Sequence, residues 1–155
     1  MMARAGIALL NLLGRLPLPA LRALGRFIGR VLFVLAVPRR RVALRNLALC
    51  FPEVPESQRR AWARESFVVF CQTFLDRGWL WSGSEALVRS RVKLVGALHE
   101  LEGDTPTIVF APHFYSMDAG GLALPLNTRR EFTSIFATNP DPVLDAWFMA
   151  GRQRF

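Results

Sequence analysis

Within "VFAPHFYSMDAG", residues 109–120, His113 is followed five positions later by Asp118. A carboxylate that accepts a hydrogen bond from one imidazole nitrogen fixes the tautomer. It also stabilises the imidazolium formed when the other nitrogen takes a proton. His113 is therefore a candidate general base and Asp118 its orienting partner. No serine or cysteine nucleophile is needed if the attacking group is the substrate's own alcohol, and such proton transfer contributes roughly 10²–10⁴-fold. The spacing alone is weak, because a lone histidine is more often structural than catalytic. Metal ligation by the same pair lacks a third ligand and ranks low; where the alcohol attacks a thioester, the thioester supplies the driving force and no metal or organic cofactor is required.

The elements around the pair decide whether the two side chains can meet. On an unbroken helix a five-residue step turns about 140° around the axis, and the two would not share a face. A strand–turn–helix junction removes that objection. Pro112 pushes Ala111 into extended backbone. Ser116 is placed to cap a helix, and Asp118 would be its second residue, where a carboxylate suits the helix N-terminus. Residues 91–96, 105–111 and 131–138 read as strands, and the segments around them as helices, with Pro125 ending the helix that Ser116 starts. Ser57 is placed to cap a long amphipathic helix, with Phe67, Phe70, Cys71, Phe74 and Leu75 at helical spacing. Trp79 and Trp81 read as core rather than lipid-facing. Residues 141–155, "DPVLDAWFMAGRQRF", read as a last helix without a C-terminal cap. This order predicts an α/β fold with helices packed on a sheet.

The front of the chain is of another kind. Residues 1–52 contain nine arginines (Arg4, Arg15, Arg22, Arg26, Arg30, Arg39, Arg40, Arg41, Arg45) and no acid, set among Leu, Ile, Val, Phe, Ala and Gly. The whole chain is 52% hydrophobic with a net charge of +8. Apolar and basic together imply an anionic partner. Nucleic acid is the weakest choice, for there is no zinc spacing, RNP-like strand or polar basic recognition helix. Arg22, Arg26 and Arg30 recur every four residues on a helix that starts near Pro19, with Leu24, Phe27, Ile28 and Val31 on its other faces. That pattern suits a helix lying in a membrane interface; a tilted span over about 5–37 is the alternative. Residues 1–41 are thus read as a membrane-anchoring segment and 42–155 as the front part of an α/β domain. Only three candidate strands precede the end, so the chain reads as part of a longer protein. Cys50 and Cys71 have no paired or metal-like spacing.

Three segments together resemble the lipid A biosynthesis acyltransferases, the lauroyl/myristoyl transferase family of Gram-negative bacteria. They are "RRRVALRNLALCFPEVPESQRR", "FAPHFYSMDAGG" and "IFATNPDPVLDAWFMAGRQR", and order and spacing agree across nearly the whole chain. The resemblance implies an incomplete glycerolipid-acyltransferase-like sheet with flanking helices. It implies His113 as base and Asp118, often glutamate in the family, as its partner. Arg152, with Arg154 in the G-R-x-R stretch, would bind substrate phosphate or stabilise an oxyanion. The family's aromatic–Arg–Pro triplet is replaced by Phe136, Ala137 and Thr138, which removes a basic contact there.

The implied activity is transfer of a fatty acyl group from acyl carrier protein to a hydroxyl of a lipid A precursor. It would take place on the cytoplasmic face of the inner membrane, in contact with its lipids. Arg129 and Arg130 would be solvated or would help dock the acidic carrier. Two alternatives stand beside this: an acceptor that is another glycolipid or a lysophospholipid, or a non-catalytic fragment that binds the membrane.

Overall fold

The computed structural model describes residues 1–103 and 105–155, and every regular element among them is helical. The α-helices are α1 (Met2–Leu13), α2 (Leu18–Leu35), α3 (Val37–Cys50), α4 (Glu56–Ser82), α5 (Glu85–Arg91), α6 (Met117–Asn127) and α7 (Pro142–Arg152). A short 3-10 helix spans Leu98–Leu101.

The α/β architecture expected from the sequence, with its acyltransferase-like sheet, is overturned: no strand forms among the described residues. Residues 92–96, 105–111 and 131–138 are neither helical nor paired, and Val95, Ile108, Phe110 and Ile135 are 85% exposed or more. The physical reason is that strand character is not local. β-Branched and aromatic residues fit a pleated, half-buried surface, yet a strand makes no hydrogen bonds within itself and needs a neighbour about 4.8 Å away. No backbone hydrogen bond joins these segments to one another among the described residues, although 107–109 and 131–133 line one cavity.

Helix ends depart from expectation in three places. α4 begins at Glu56, so Ser57 lies inside the helix instead of capping it. Ser116 does occupy the N-cap of α6, but in left-handed backbone (φ 67°) and without a side-chain cap bond. Pro125 sits inside α6, which continues to Asn127. In that last turn the Asn127 amide donates to Ala123 O at 2.7 Å, and the Thr128 hydroxyl to Leu124 O. These bonds close the helix two residues beyond the proline.

The chain divides into two compact units, Leu16–Asp76 and Met1–Arg15 with Arg77–Phe155. In the first, α2 starts where Pro17 and Pro19 pre-set helical φ. Its buried stripe is Leu21, Gly25, Gly29 and Phe33. A Cβ at Gly25 or Gly29 would clash with the backbone of Gln72 or Val68 on α4, so the two helices touch main chain to main chain. Phe33 meets Phe67 edge-on at 5.5 Å. Arg22 is not directed to solvent: its guanidinium donates to Asp76 at 2.7 Å, and Gln72 Nε2 donates to Arg22 O. On α4 the buried side chains in this unit are Ala63, Val68, Cys71, Leu75 and Asp76, whereas Phe70 and Phe74, read as core from their spacing, are exposed and stacked on each other.

In the second unit α1 lies against the last turns of α4, where a Cβ at Gly78 would strike Leu10 O. Trp79 and Trp81 are 3% and 7% exposed, which confirms them as core. α6 touches both α5 and α7. No helix among the described residues is long and apolar enough to cross a membrane. The single tilted span over 5–37 does not form, because α1 and α2 are separate helices.

Asp76 is 6% exposed while Arg22 keeps a third of its side chain in solvent. Asp76→Ala should cost about 1–3 kcal/mol, since Arg22 is only partly able to rehydrate. Urea unfolding checks it, and so does Cys71. Burial raises the Cys71 thiol pKa, so this cysteine should resist alkylation at neutral pH while exposed Cys50 reacts. In Asp76→Ala the labelling of Cys71 should accelerate.

Candidate active site

His113 occupies the apex of a tight turn. The Phe114 N–H donates to Pro112 O at 2.8 Å, closing a three-residue γ-turn around the histidine. His113 has negative φ, because Ser116 is the only non-glycine with positive φ among the described residues. The turn is therefore of the inverse, low-strain kind, and it leaves the imidazole exposed. Strain is concentrated three residues on. Ser116 in left-handed backbone carries an unfavourable Cβ–carbonyl contact worth about 1–2 kcal/mol, and its carbonyl accepts from Ala119 and Gly120 to start α6.

Asp118 follows in the first turn of α6 with a side chain 14% exposed. Its Oδ2 accepts from Arg77 Nε at 2.9 Å and Nη2 at 2.8 Å. Its Oδ1 lies 3.5 Å from Arg152 Nε, beyond a good hydrogen bond. The carboxylate is thus clamped at one oxygen and loosely neutralised at the other. No hydrogen bond or ion pair joins His113 to Asp118 in this arrangement. Oδ1 keeps its acceptor capacity, and a carboxylate offers about four acceptor positions in all.

An aromatic box fixes the two arginines. Trp81 packs edge-on to Trp147 at 4.4 Å and to Phe148 at 5.1 Å. Arg77 lies over Trp81 and Phe148 at 5.5 and 5.8 Å, and Arg152 over Phe136 and Phe148 at 5.0 and 5.3 Å. Each cation gains from the ring quadrupole, and its planar guanidinium is held in register with the acid. Trp81 Nε1 is buried without a hydrogen-bond partner. Two guanidinium charges against one carboxylate leave the cluster net positive, a setting that attracts phosphate.

Local sequence builds the support for α7. Asp141 caps it, accepting from Val143 N and Leu144 N at 2.8 and 3.1 Å. Asn139 Oδ1 accepts from Asp141 N, and Asp145 accepts from Asn139 N. The polar residues of "NPDPVLD" therefore set the start of α7, and α7 delivers Arg152 at its other end. Arg154 stands apart from the cluster: its guanidinium donates to Leu80 O at 2.7 Å and to Gly83 O. It satisfies carbonyls that the C-terminus of α4 leaves open. Arg130 is tied to Thr107 and to Thr105 O, while Arg129 is exposed. No group of three His, Cys, Asp or Glu side chains among the described residues could hold a metal.

The family model of the bacterial lipid A biosynthesis acyltransferases matches residues 1–155. The chain belongs to that family. It is similar to a lipid A biosynthesis acyltransferase of Haemophilus influenzae, 31% identical over 153 residues, covering 96% of this chain and 48% of the relative. It is 32% identical to the lipid A biosynthesis myristoyltransferase of Escherichia coli, over 99% of this chain and 46% of that one. To the Escherichia coli lauroyltransferase it is 25% identical over 96% and 49%. The chain thus spans about half the length of the curated relatives it matches. No solved structure matches it.

For this acyltransferase-family chain, sequence reasoning found Asp118 and Arg152 and missed that they meet. It missed Arg77 altogether. The available signal was Arg77's place one helical turn before Trp81, on the face of α4 that is otherwise core. The glycine of G-R-x-R also acquires a reason. A Cβ at Gly151 would lie under 3.0 Å from three atoms of the Trp81 ring. Gly151→Ala should therefore cost about 1–3 kcal/mol by overpacking, seen as a lower melting temperature and a red-shifted tryptophan emission.

Proposed function

We propose that this protein, as part of its full-length enzyme, transfers a fatty acyl group from the thioester of an acyl carrier protein to a hydroxyl of a lipid A precursor. Family membership supports the class of acceptor. The observation that carries the chemistry is an exposed imidazole five residues before a carboxylate that is anchored by one oxygen and open at the other.

His113 acts as general base. It removes the proton from the acceptor alcohol as that oxygen attacks the thioester carbonyl. The tetrahedral intermediate expels the carrier's thiolate, which takes the proton from the imidazolium, so the base is regenerated and charge balances. Asp118 orients the imidazole through Oδ1 once the turn over residues 113–116 closes on an acceptor. The strained Ser116 marks where that turn can move. Arg77 holds the carboxylate in its charged form and in place. Arg152, with about a third of its side chain exposed and loosely bound to Oδ1, meets the acceptor's phosphate or the developing oxyanion. Arg154 serves the site by fixing the end of α7 to α4. The thioester supplies the driving force, and no cofactor enters these steps.

The reaction belongs at the cytoplasmic face of the inner membrane of a Gram-negative cell. Phe27, Val31, Val34 and Leu35 on α2 are exposed beside arginines, a composition suited to an interface helix.

Acyl transfer from an acyl carrier protein to a lipid A precursor, followed by mass spectrometry of the product, tests the assignment. His113→Ala should lower the rate by roughly 10²–10⁴-fold with vesicle binding retained, and Asp118→Asn should lower it less. Equal rates in parent and His113→Ala would remove the histidine from the mechanism. Acylation of a lysophospholipid in preference to the lipid A precursor would replace the acceptor.

A further inference from the structure

We propose that Arg40, Arg60 and Arg64 form a site for the phosphate of an anionic lipid headgroup. The guanidinium carbons of these three residues lie 5.6, 5.9 and 5.8 Å from the centroid of one ring, that of Phe33. Phe33 is 4% exposed and is held edge-on by Phe67, so the platform does not move. Arg40 is also fixed, because its Nη1 donates to Phe33 O at 2.9 Å and to Val34 O at 3.1 Å at the end of α2. Arg60 and Arg64 stand one turn apart on α4, a like-charge spacing that destabilises a helix by a few tenths of a kcal/mol.

Among the described residues no carboxylate pairs with any of the three, and Arg60 and Arg64 carry no hydrogen bond. A ring quadrupole attracts cations but cannot neutralise three of them. The cluster is therefore a focused positive field presenting planar, forked donors. Those donors match the oxygens of a phosphate, for which arginine is the better-suited cation.

A bilayer is the source the surroundings favour. Val34 and Leu35, directly beside the Arg40 contact, are 61% and 70% exposed, and Phe27 is 66% exposed two turns earlier. Apolar side chains flanking a cation cluster are what an interfacial site presents to acyl chains and headgroups at once; a dissolved phosphate requires none of them. The inference rests on the membrane-surface part of the proposed function and is independent of its chemistry.

Sedimentation with vesicles of phosphatidylcholine, with and without phosphatidylglycerol, is the test. The parent should bind the phosphatidylglycerol vesicles strongly and the neutral ones weakly. Arg60→Gln/Arg64→Gln should weaken anionic binding by about 10- to 30-fold, since each arginine near an anionic surface is worth about a factor of five. The exposed pair Arg15→Gln/Arg129→Gln removes the same charge elsewhere and should weaken it less than about threefold. Equal losses in the two double variants would show that net charge alone binds, and would overturn the site. So would a parent that binds inorganic phosphate in calorimetry yet does not distinguish the two vesicle types. Acyl transfer to detergent-dispersed acceptor should persist in Arg60→Gln/Arg64→Gln. Its loss from the parent as well would count against the enzymatic reading and leave this site untouched.

Discussion

The Asp118 carboxylate, gripped by Arg77 and approached by Arg152, is the interaction on which the unit of Met1–Arg15 with Arg77–Phe155 depends. Three helices contribute to it: the end of α4, the first turn of α6 and the last turn of α7. Taking a carboxylate largely out of water is expensive unless it is paired and hydrogen-bonded. Here one oxygen receives two guanidinium nitrogens, and aromatic rings on both sides keep those guanidiniums from swinging away. The arrangement explains why so much of this unit's apolar mass sits around Trp81, Trp147 and Phe148. The rings are the frame that keeps two cations in register with one acid, and the position of α6, hence of the turn that bears His113, follows from that register.

Positional precision and chemical readiness are divided between the two members of the pair. Asp118 is held and His113 is presented. The γ-turn around His113 is short and nearly unstrained, while the cost of reversing the chain into α6 falls on Ser116. In the proposed reaction, a general base that accepts a proton from an alcohol on a large lipid has to be reachable. A base locked against its acid inside the core would have the right tautomer and no substrate. Between these requirements an exposed imidazole with an adjacent acid that keeps one open oxygen is a workable compromise, because closure costs only a turn and not a helix.

What the sequence disclosed follows from how local each feature is. The start of α2 near Pro19 depends on a few neighbouring residues and was legible. So were Asp118 as the second residue of α6 and the burial of Trp79 and Trp81. The sheet was not, because Ile108, Phe110 and Ile135 carry strand preference whether or not another strand lies alongside, and pairing is decided by distant chain. Arg77 with Asp118 is likewise a contact across 41 residues, and no spacing rule announces it. The stripe on α2 shows a subtler failure. Arginines every four residues drew the eye to a charged face, whereas the packing face is the adjacent Leu21–Gly25–Gly29–Phe33 row. Its signal was the glycine pair four apart, which lets two backbones meet.

The distribution of acids ties the two units to one electrostatic consequence. Asp76 is spent on Arg22 and Asp118 on Arg77 and Arg152, each inside its own unit. Glu85 is spent on Arg89. Twenty basic residues face twelve acids in the chain, and residues 1–52 contribute no acid at all. Asp76 and Asp118 are held by arginines while Glu53, Glu56 and Glu65 stay exposed around the start of α4, so the positive excess is displayed chiefly by α2 and α3, whose own sequences contain no acid. Within a Debye length of about 8 Å at physiological salt, such a face repels other basic surfaces and draws in phosphates. Neutralising it internally would require acids on the α2–α3 corner, and these would abolish the attraction to anionic headgroups. The absence of acid from residues 1–52 is what the proposed work at an anionic surface requires of this face, while Asp76 and Asp118 hold arginines in place.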